Sequence, residues 1–208
     1  MNAPPRPLPR PLVFAVFVAS GFAALLYQVI WQRALFTIFG TNIESVTVVV
    51  TAFMVGLGFG SLAGGALSRR PDRPVLTLFA LIECAIGVYG VASLHLFAAV
   101  GHTGVGGSLV IVGFVTFALV LLPTLLMGST LPLLVAHLVR VDGDVGQAVG
   151  WLYAVNTLRA ALGAFAGALV LLGTFGMQGS VYVAAALNLI VGLGVLALAR
   201  RAPRAVAA

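Results

Sequence analysis

The sequence is dominated by apolar runs of roughly 20 residues or more, and the tails and short connections outside those runs hold nine of its 11 arginines. A helix needs about 20 apolar residues to cross about 30 Å of hydrocarbon. Hydrophobic residues make up 61% of the 208 positions and charged residues only 8%, where a soluble domain carries about 25% charged residues. A water-soluble globule of this size has too little volume to hide that much apolar surface. A soluble enzyme, a nucleic-acid-binding domain and a disordered chain are therefore excluded. The basic balance, with a pI near 10.8, implies no nucleic-acid partner, because the charge sits between apolar runs. The first partner of this chain is the lipid bilayer.

Six spans are predicted: about Leu12 to Phe39, Ser45 to Ser68, Val75 to Val100, Ser108 to Val139, Gly146 to Leu172 and Gly179 to Ala199. They give one membrane domain over 12–199, between a Pro/Arg-rich tail over 1–11 and a second tail over 200–208. All 11 basic residues other than histidine are arginine. Arg6, Arg10, Arg69, Arg70, Arg73, Arg140, Arg200, Arg201 and Arg204 fall in segments that six spans place on one side of the membrane. The opposite connections, near Thr41, His102 and Gly176, carry none. By the positive-inside rule both termini are expected in the cytoplasm. The first apolar run is longer than the ~7–15 residues of a signal-peptide core, so it is expected to remain as a span.

Spans one to three and four to six read as weak repeats. Ile82-Glu83-Cys84-Ala85-Ile86-Gly87 in span three lines up with Leu187-Asn188-Leu189-Ile190-Val191-Gly192 in span six, which matches Glu83 to Asn188. Three spans per repeat is an odd number, so successive repeats insert with opposite orientation, the inverted 3+3 arrangement of major-facilitator halves. Gly56, Gly60 and Gly64 recur every fourth residue and share one helix face. Lipid gives no hydrophobic reward for helix association, so this face is expected to pack closely on a neighbour. Span four is too long for a straight crossing, and Pro123 and Pro132 each remove a helix hydrogen bond. The sequence leaves open a kinked packing helix or a break at Met127-Gly128-Ser129-Thr130.

Glu83 lies roughly 13 Å into span three, and Arg159 lies near the middle of span five. A lone charge at the midplane costs about 2.5 kcal/mol or more. Opposite charges at similar depth predict a pair, direct or through water, or one shared polar cavity, which serves either helix packing or a solute- or proton-linked site. Tyr27, Gln28 and Asn156 complete the candidates for that site. Trp31 and Arg33 are expected at the outer interface as anchors, with Glu44 a partner for Arg33 across the loop. The three histidines are scattered, and a single cysteine, Cys84, allows no cysteine cluster. No metal, no cofactor and no catalytic residues are expected, since no nucleophile, base and orienting group share a workable spacing. The chain thus reads as non-enzymatic.

Four segments resemble the membrane region of bacterial fused major-facilitator/spermidine-synthase-like proteins. They are Ser20-Gly21-Phe22-Ala23-Ala24-Leu25-Leu26-Tyr27-Gln28-Val29-Ile30-Trp31-Gln32-Arg33, Ala52-Phe53-Met54-Val55-Gly56-Leu57-Gly58-Phe59-Gly60-Ser61, Leu122-Pro123-Thr124-Leu125-Leu126-Met127-Gly128-Ser129-Thr130-Leu131-Pro132 and Val149-Gly150-Trp151-Leu152-Tyr153-Ala154-Val155-Asn156-Thr157-Leu158. Gln28 stands where those proteins usually carry glutamate, and Arg159 where they usually carry a small residue. The resemblance implies an all-α, six-helix bundle like one half of a major-facilitator transporter, in a bacterial inner membrane. It implies a membrane module without the aminopropyltransferase domain. One half has half a cavity wall, so a homodimer or a membrane protein partner is expected. Two functions follow: a transporter-like half module passing a small solute, or an accessory subunit of a larger membrane complex.

Overall fold

The computed structural model describes residues 9–39, 42–70, 72–102, 109–142, 150, 163, 165 and 170–200. Five long helices hold nearly all of them: α1 (Arg10–Phe39), α2 (Asn42–Ser68), α3 (Val75–His102), α4 (Leu109–Asp142) and α5 (Leu172–Arg200). Each is long and apolar enough to cross a membrane, and no strand occurs among the described residues. The bundle fits a multi-pass membrane protein.

Spans one to four correspond to α1–α4, with ends that differ by three residues or fewer. Predicted span six corresponds to α5. Five of the six expected helices are found among the described residues. Predicted span five, with Tyr153, Asn156 and Arg159, lies almost wholly outside them. α5 begins seven residues before the predicted start, and Gly176 interrupts it with φ 63° and ψ −174°. That left-handed backbone suits glycine, which has no Cβ to clash. The predicted turn near Gly176 is thus a break inside the helical run.

α2 packs most extensively on α4, α3 on α5 and on α4, and α1 on α5. The glycine face of α2 explains the first contact. A Cβ on Gly64 would stand 2.6 Å from the Ser129 carbonyl oxygen. One on Gly60 would overlap the Leu125 carbonyl oxygen, and one on Gly56 would overlap the Thr124 hydroxyl. From the other side, a Cβ on Gly128 would lie 2.5 Å from the Leu57 carbonyl oxygen. The two backbones therefore touch, which is how helices associate where lipid is as apolar as leucine. Thr124 Oγ1 adds a cross-helix bond to the Ala52 carbonyl at 3.1 Å, shared with its own Val120 and Leu121 carbonyls.

α4 runs unbroken through both prolines, so the reading of a break at Met127–Thr130 is corrected. The reason is local hydrogen bonding. Pro123 has no N–H for the Leu119 carbonyl four residues back, and Tyr89 Oη of α3 donates to that carbonyl at 2.7 Å. Ser129 and Thr130 turn their hydroxyls back onto the Leu126 and Met127 carbonyls, each at 2.7 Å. Large apolar side chains such as Phe59, Leu62, Phe114 and Ile190 point outward, as a lipid-solvated surface requires.

Candidate functional site

The interior holds two apolar clusters. One gathers around Trp31 and the other around Phe17, Phe79, Leu133 and Leu134. On α3, Glu83 is buried with none of its surface exposed. Ser20 of α1 donates to its Oε1 at 2.5 Å, and Asn188 Nδ2 of α5 donates to its Oε2 at 2.7 Å. A carboxylate accepts up to about four hydrogen bonds, and here it ties three helices together. Among the described residues Asn188 Oδ1 is buried without a hydrogen-bond partner, beside the carboxylate.

Gly87 and Gly192 let α3 and α5 close on this point. A Cβ on Gly87 would lie 2.8 Å from Leu189 Cγ and 3.0 Å from the Ala185 carbonyl oxygen. A Cβ on Gly192 would lie 2.6 Å from Cys84 Sγ and 2.8 Å from the Ala80 carbonyl oxygen. Residue numbers rise along α3 as they fall along α5, so the two helices run antiparallel.

One turn and more beyond Glu83, the ring of Tyr27 stacks on Trp31 with centroids 4.9 Å apart. Trp31 also meets Phe53, Tyr89 and Phe97 within about 6 Å. Trp31 Nε1 donates to Ser93 Oγ at 3.0 Å. The expectation of Trp31 as an interfacial anchor is therefore corrected: its indole is wholly buried at the centre of an aromatic cluster. The expected partnership of Arg33 and Glu44 is not found among the described residues, where Glu44 Oε2 has no hydrogen-bond partner. Glu44 instead stands in the first turn of α2, where the helix dipole favours an acid.

Of the candidates read from sequence, the structure places Glu83 and Tyr27 in the buried interior and leaves Gln28 half-buried on α1. Tyr27 Oη is buried against Gly90 and has no hydrogen-bond partner among the described residues. Arg159 and Asn156 lie outside the described residues. Sequence reasoning missed Ser20, whose only sequence signal is a hydroxyl within an apolar run, and Ser93, one hydroxyl deep in span three.

A crevice of about 570 Å³ opens between α3 and α4, lined by Cys84, Ala85, Val88, Tyr89, Ala92, Leu122, Pro123 and Leu126. Its one hydroxyl, that of Tyr89, is spent on the Leu119 carbonyl. The crevice is apolar and offers no polar recognition.

Two relatives in Streptomyces coelicolor match most of this chain. Polyamine aminopropyltransferase 1 is 28% identical over 184 residues, which is 88% of this chain and 33% of the relative. Polyamine aminopropyltransferase 2 is 29% identical over 212 residues, 96% of this chain and 37% of the relative. The chain thus spans about a third of the length of the curated relatives it matches. No protein-family model matches, and neither does a solved structure. The similarity is consistent with a fused membrane region of spermidine-synthase-like proteins. It corrects the reading of this chain as non-enzymatic, since both relatives are named as enzymes.

Proposed function

We propose that this chain is the membrane module of an aminopropyltransferase-type protein, built as one half of a major-facilitator-like bundle. A second copy or another membrane protein completes it into a path for a small solute. The observation that carries the architecture is the contact of α3 with α5. Adding 105 to 80, 83, 84 and 87 gives 185, 188, 189 and 192. Glu83 binds Asn188, Gly87 faces Ala185 and Leu189, and Gly192 faces Ala80 and Cys84. Each contact maps onto itself or onto another when the two segments are exchanged. Antiparallel helices with that property are what a two-fold axis in the membrane plane between inverted repeats generates. The same exchange turns the packing of α1 on α5 into that of α4 on α3, and both are found.

Predicted span five supports the reading through Gly163, where a Cβ would lie 3.0 Å from Leu25 Cβ of α1. Gly56, Gly60 and Gly64 meet α4 in the corresponding way. By sequence depth Arg159 and Glu83 both fall near the midplane, so we keep them as a proposed pair, direct or through water. The nine arginines of the tails and connections fall on one side of the predicted spans, which supports both termini in the cytoplasm of a bacterial inner membrane.

The test is mild-detergent purification with identification of co-purifying chains. It is followed by reconstitution in liposomes with labelled amines and organic anions, alongside an aminopropyl-transfer assay on the same preparation. A dimer or fixed partner whose vesicles move at least one solute, or transfer the group in a chain-dependent way, is expected. Vesicles inert in both assays sink the proposal. A second reading, an accessory subunit whose polar cluster serves assembly, draws on the full burial of Glu83. A fixed heteromeric complex without solute flux is its signature.

A further inference from the structure

α2 ends at Ser68 and α3 begins at Val75. Between them lie Arg69, Arg70, Pro71, Asp72, Arg73 and Pro74. Arg140, in the last turn of α4, reaches across to this turn. Its Nη1 donates to the Arg73 carbonyl at 2.9 Å, and its Nη2 to the Ser68 and Arg70 carbonyls at 3.0 and 2.9 Å. The turn also closes on itself through Arg73 N–H to the Arg70 carbonyl and Val75 N–H to the Arg73 carbonyl. One guanidinium therefore fixes the backbone of a loop that displays three others.

The charge of Arg140 is not cancelled by this, because carbonyls accept hydrogen bonds without carrying a formal charge. Arg69 and Arg70 are exposed and Arg73 is half-buried. The neighbourhood holds four guanidinium groups against Asp72 and, two residues past Arg140, Asp142. The first turn of α3 carries no acid, so its dipole adds positive potential at the same place. The site stands where the apolar stretches Val46–Ser68 and Val110–Val141 end. That is the level of lipid phosphates, and guanidinium forks match phosphate oxygens better than ammonium groups do.

We propose that the Arg140-braced turn between α2 and α3 is a binding site for the phosphate of an anionic phospholipid headgroup. Arg69 and Arg70 supply the contacts, and Arg140 holds their backbone in place. The site stands apart from the proposed function: it holds whether or not the bundle moves a solute.

The test uses the full chain in nanodiscs of neutral lipid, titrated with phosphatidylglycerol. Binding is followed by native mass spectrometry, with helicity checked by circular dichroism. Wild type is expected to prefer phosphatidylglycerol over phosphatidylcholine, more so at low salt. Each arginine near a membrane surface carries roughly a fivefold effect on affinity. Arg69→Gln with Arg70→Gln is thus expected to cost roughly 25-fold. Arg140→Lys keeps the charge but loses the three-carbonyl brace, and an affinity loss there supports the brace. Unchanged affinity in the double variant, at unchanged helicity, overturns the proposal. Displacement of the lipid by millimolar inorganic phosphate overturns the lipid assignment in favour of a soluble phosphate. Should the double variant lose helicity, charge-preserving Arg69→Lys with Arg70→Lys serves instead. Retained preference with weaker binding there supports the site, and a lost preference at full helicity counts against a charge-based one.

Discussion

Replacing Gly64 with alanine, and Gly65 with alanine in a second variant, isolates the α2–α4 contact. Both positions gain the same helix propensity, about 1 kcal/mol, so that contribution cancels in the comparison. A Cβ at Gly65 meets nothing within 4 Å, while one at Gly64 lies 2.6 Å from the Ser129 carbonyl oxygen and 2.8 Å from Ser129 Cα. Ordinary contact begins at 3.4 Å, so the helices must separate by 3.4 − 2.6 = 0.8 Å. The obstacle is backbone and cannot rotate away. A gap of that size forfeits a quarter to a half of each dispersion contact of about 0.1–0.2 kcal/mol. Over the roughly 50 atom pairs of a well-packed site this comes to about 1–5 kcal/mol, a range that contains measured overpacking costs of about 1–3 kcal/mol. Gly65→Ala should therefore be neutral or stabilising, and Gly64→Ala should fall about 2 kcal/mol below it. Reversible unfolding in detergent, followed by circular dichroism across a denaturant series, measures the difference. Equal stabilities for the two variants would refute backbone contact as the force that joins α2 to α4.

Tyr89→Phe should cost about 1–2 kcal/mol by orphaning the Leu119 carbonyl. In a Pro123→Ala background, which restores the backbone donor, the same change should cost almost nothing, and a double-mutant cycle reads the difference. Ser93→Ala should cost about 1–3 kcal/mol by leaving Trp31 Nε1 unpaired, with a change in tryptophan emission as a second readout. Glu83→Ala and Arg159→Ala should show a coupling above about 1 kcal/mol in the same unfolding assay. Additive losses would separate the two charges.

The ends of spans one to four were legible because each span is closed by residues that lipid rejects. Arg69 and Arg70 follow Ser68, and Asp142 closes α4. The match of Glu83 to Asn188 was legible as an alignment of two helices, and the structure adds that the two residues touch. What sequence could not supply was the facing of apolar helices. When nearly every side chain is apolar, no polar stripe marks the outside. Trp31 therefore passed for an anchor while it fills the core, and Ser20 stood unnoticed among alanines and phenylalanines. Arg140 read only as a topology marker. Its role depends on the carbonyls of a turn 67–72 residues away, which no local pattern announces. That α4 continues through Pro123 was not legible, because the Tyr89 hydroxyl that takes the Leu119 carbonyl comes from another helix.

The pairing of Glu83 with Asn188 also allows the inverted-repeat reading to be tested without any functional assay. If a two-fold axis runs between α3 and α5, the acid and the amide occupy equivalent places and can trade them. Asn188→Glu alone sets two carboxylates against each other in the buried interior, where like charges are strongly unfavourable. Glu83→Asn alone leaves two amides and strands the Ser20 hydroxyl, which is bonded to Glu83 Oε1. Both changes together restore one acid facing one amide, now with the carboxylate on α5. The double variant should therefore be more stable than Asn188→Glu by about 2 kcal/mol or more. It should remain below the wild type by roughly the 1–3 kcal/mol of one lost charge-assisted bond, since Ser20 reaches only the α3 side. A double variant no more stable than Asn188→Glu alone would mean that the two positions are not interchangeable, and the axis would have to be abandoned.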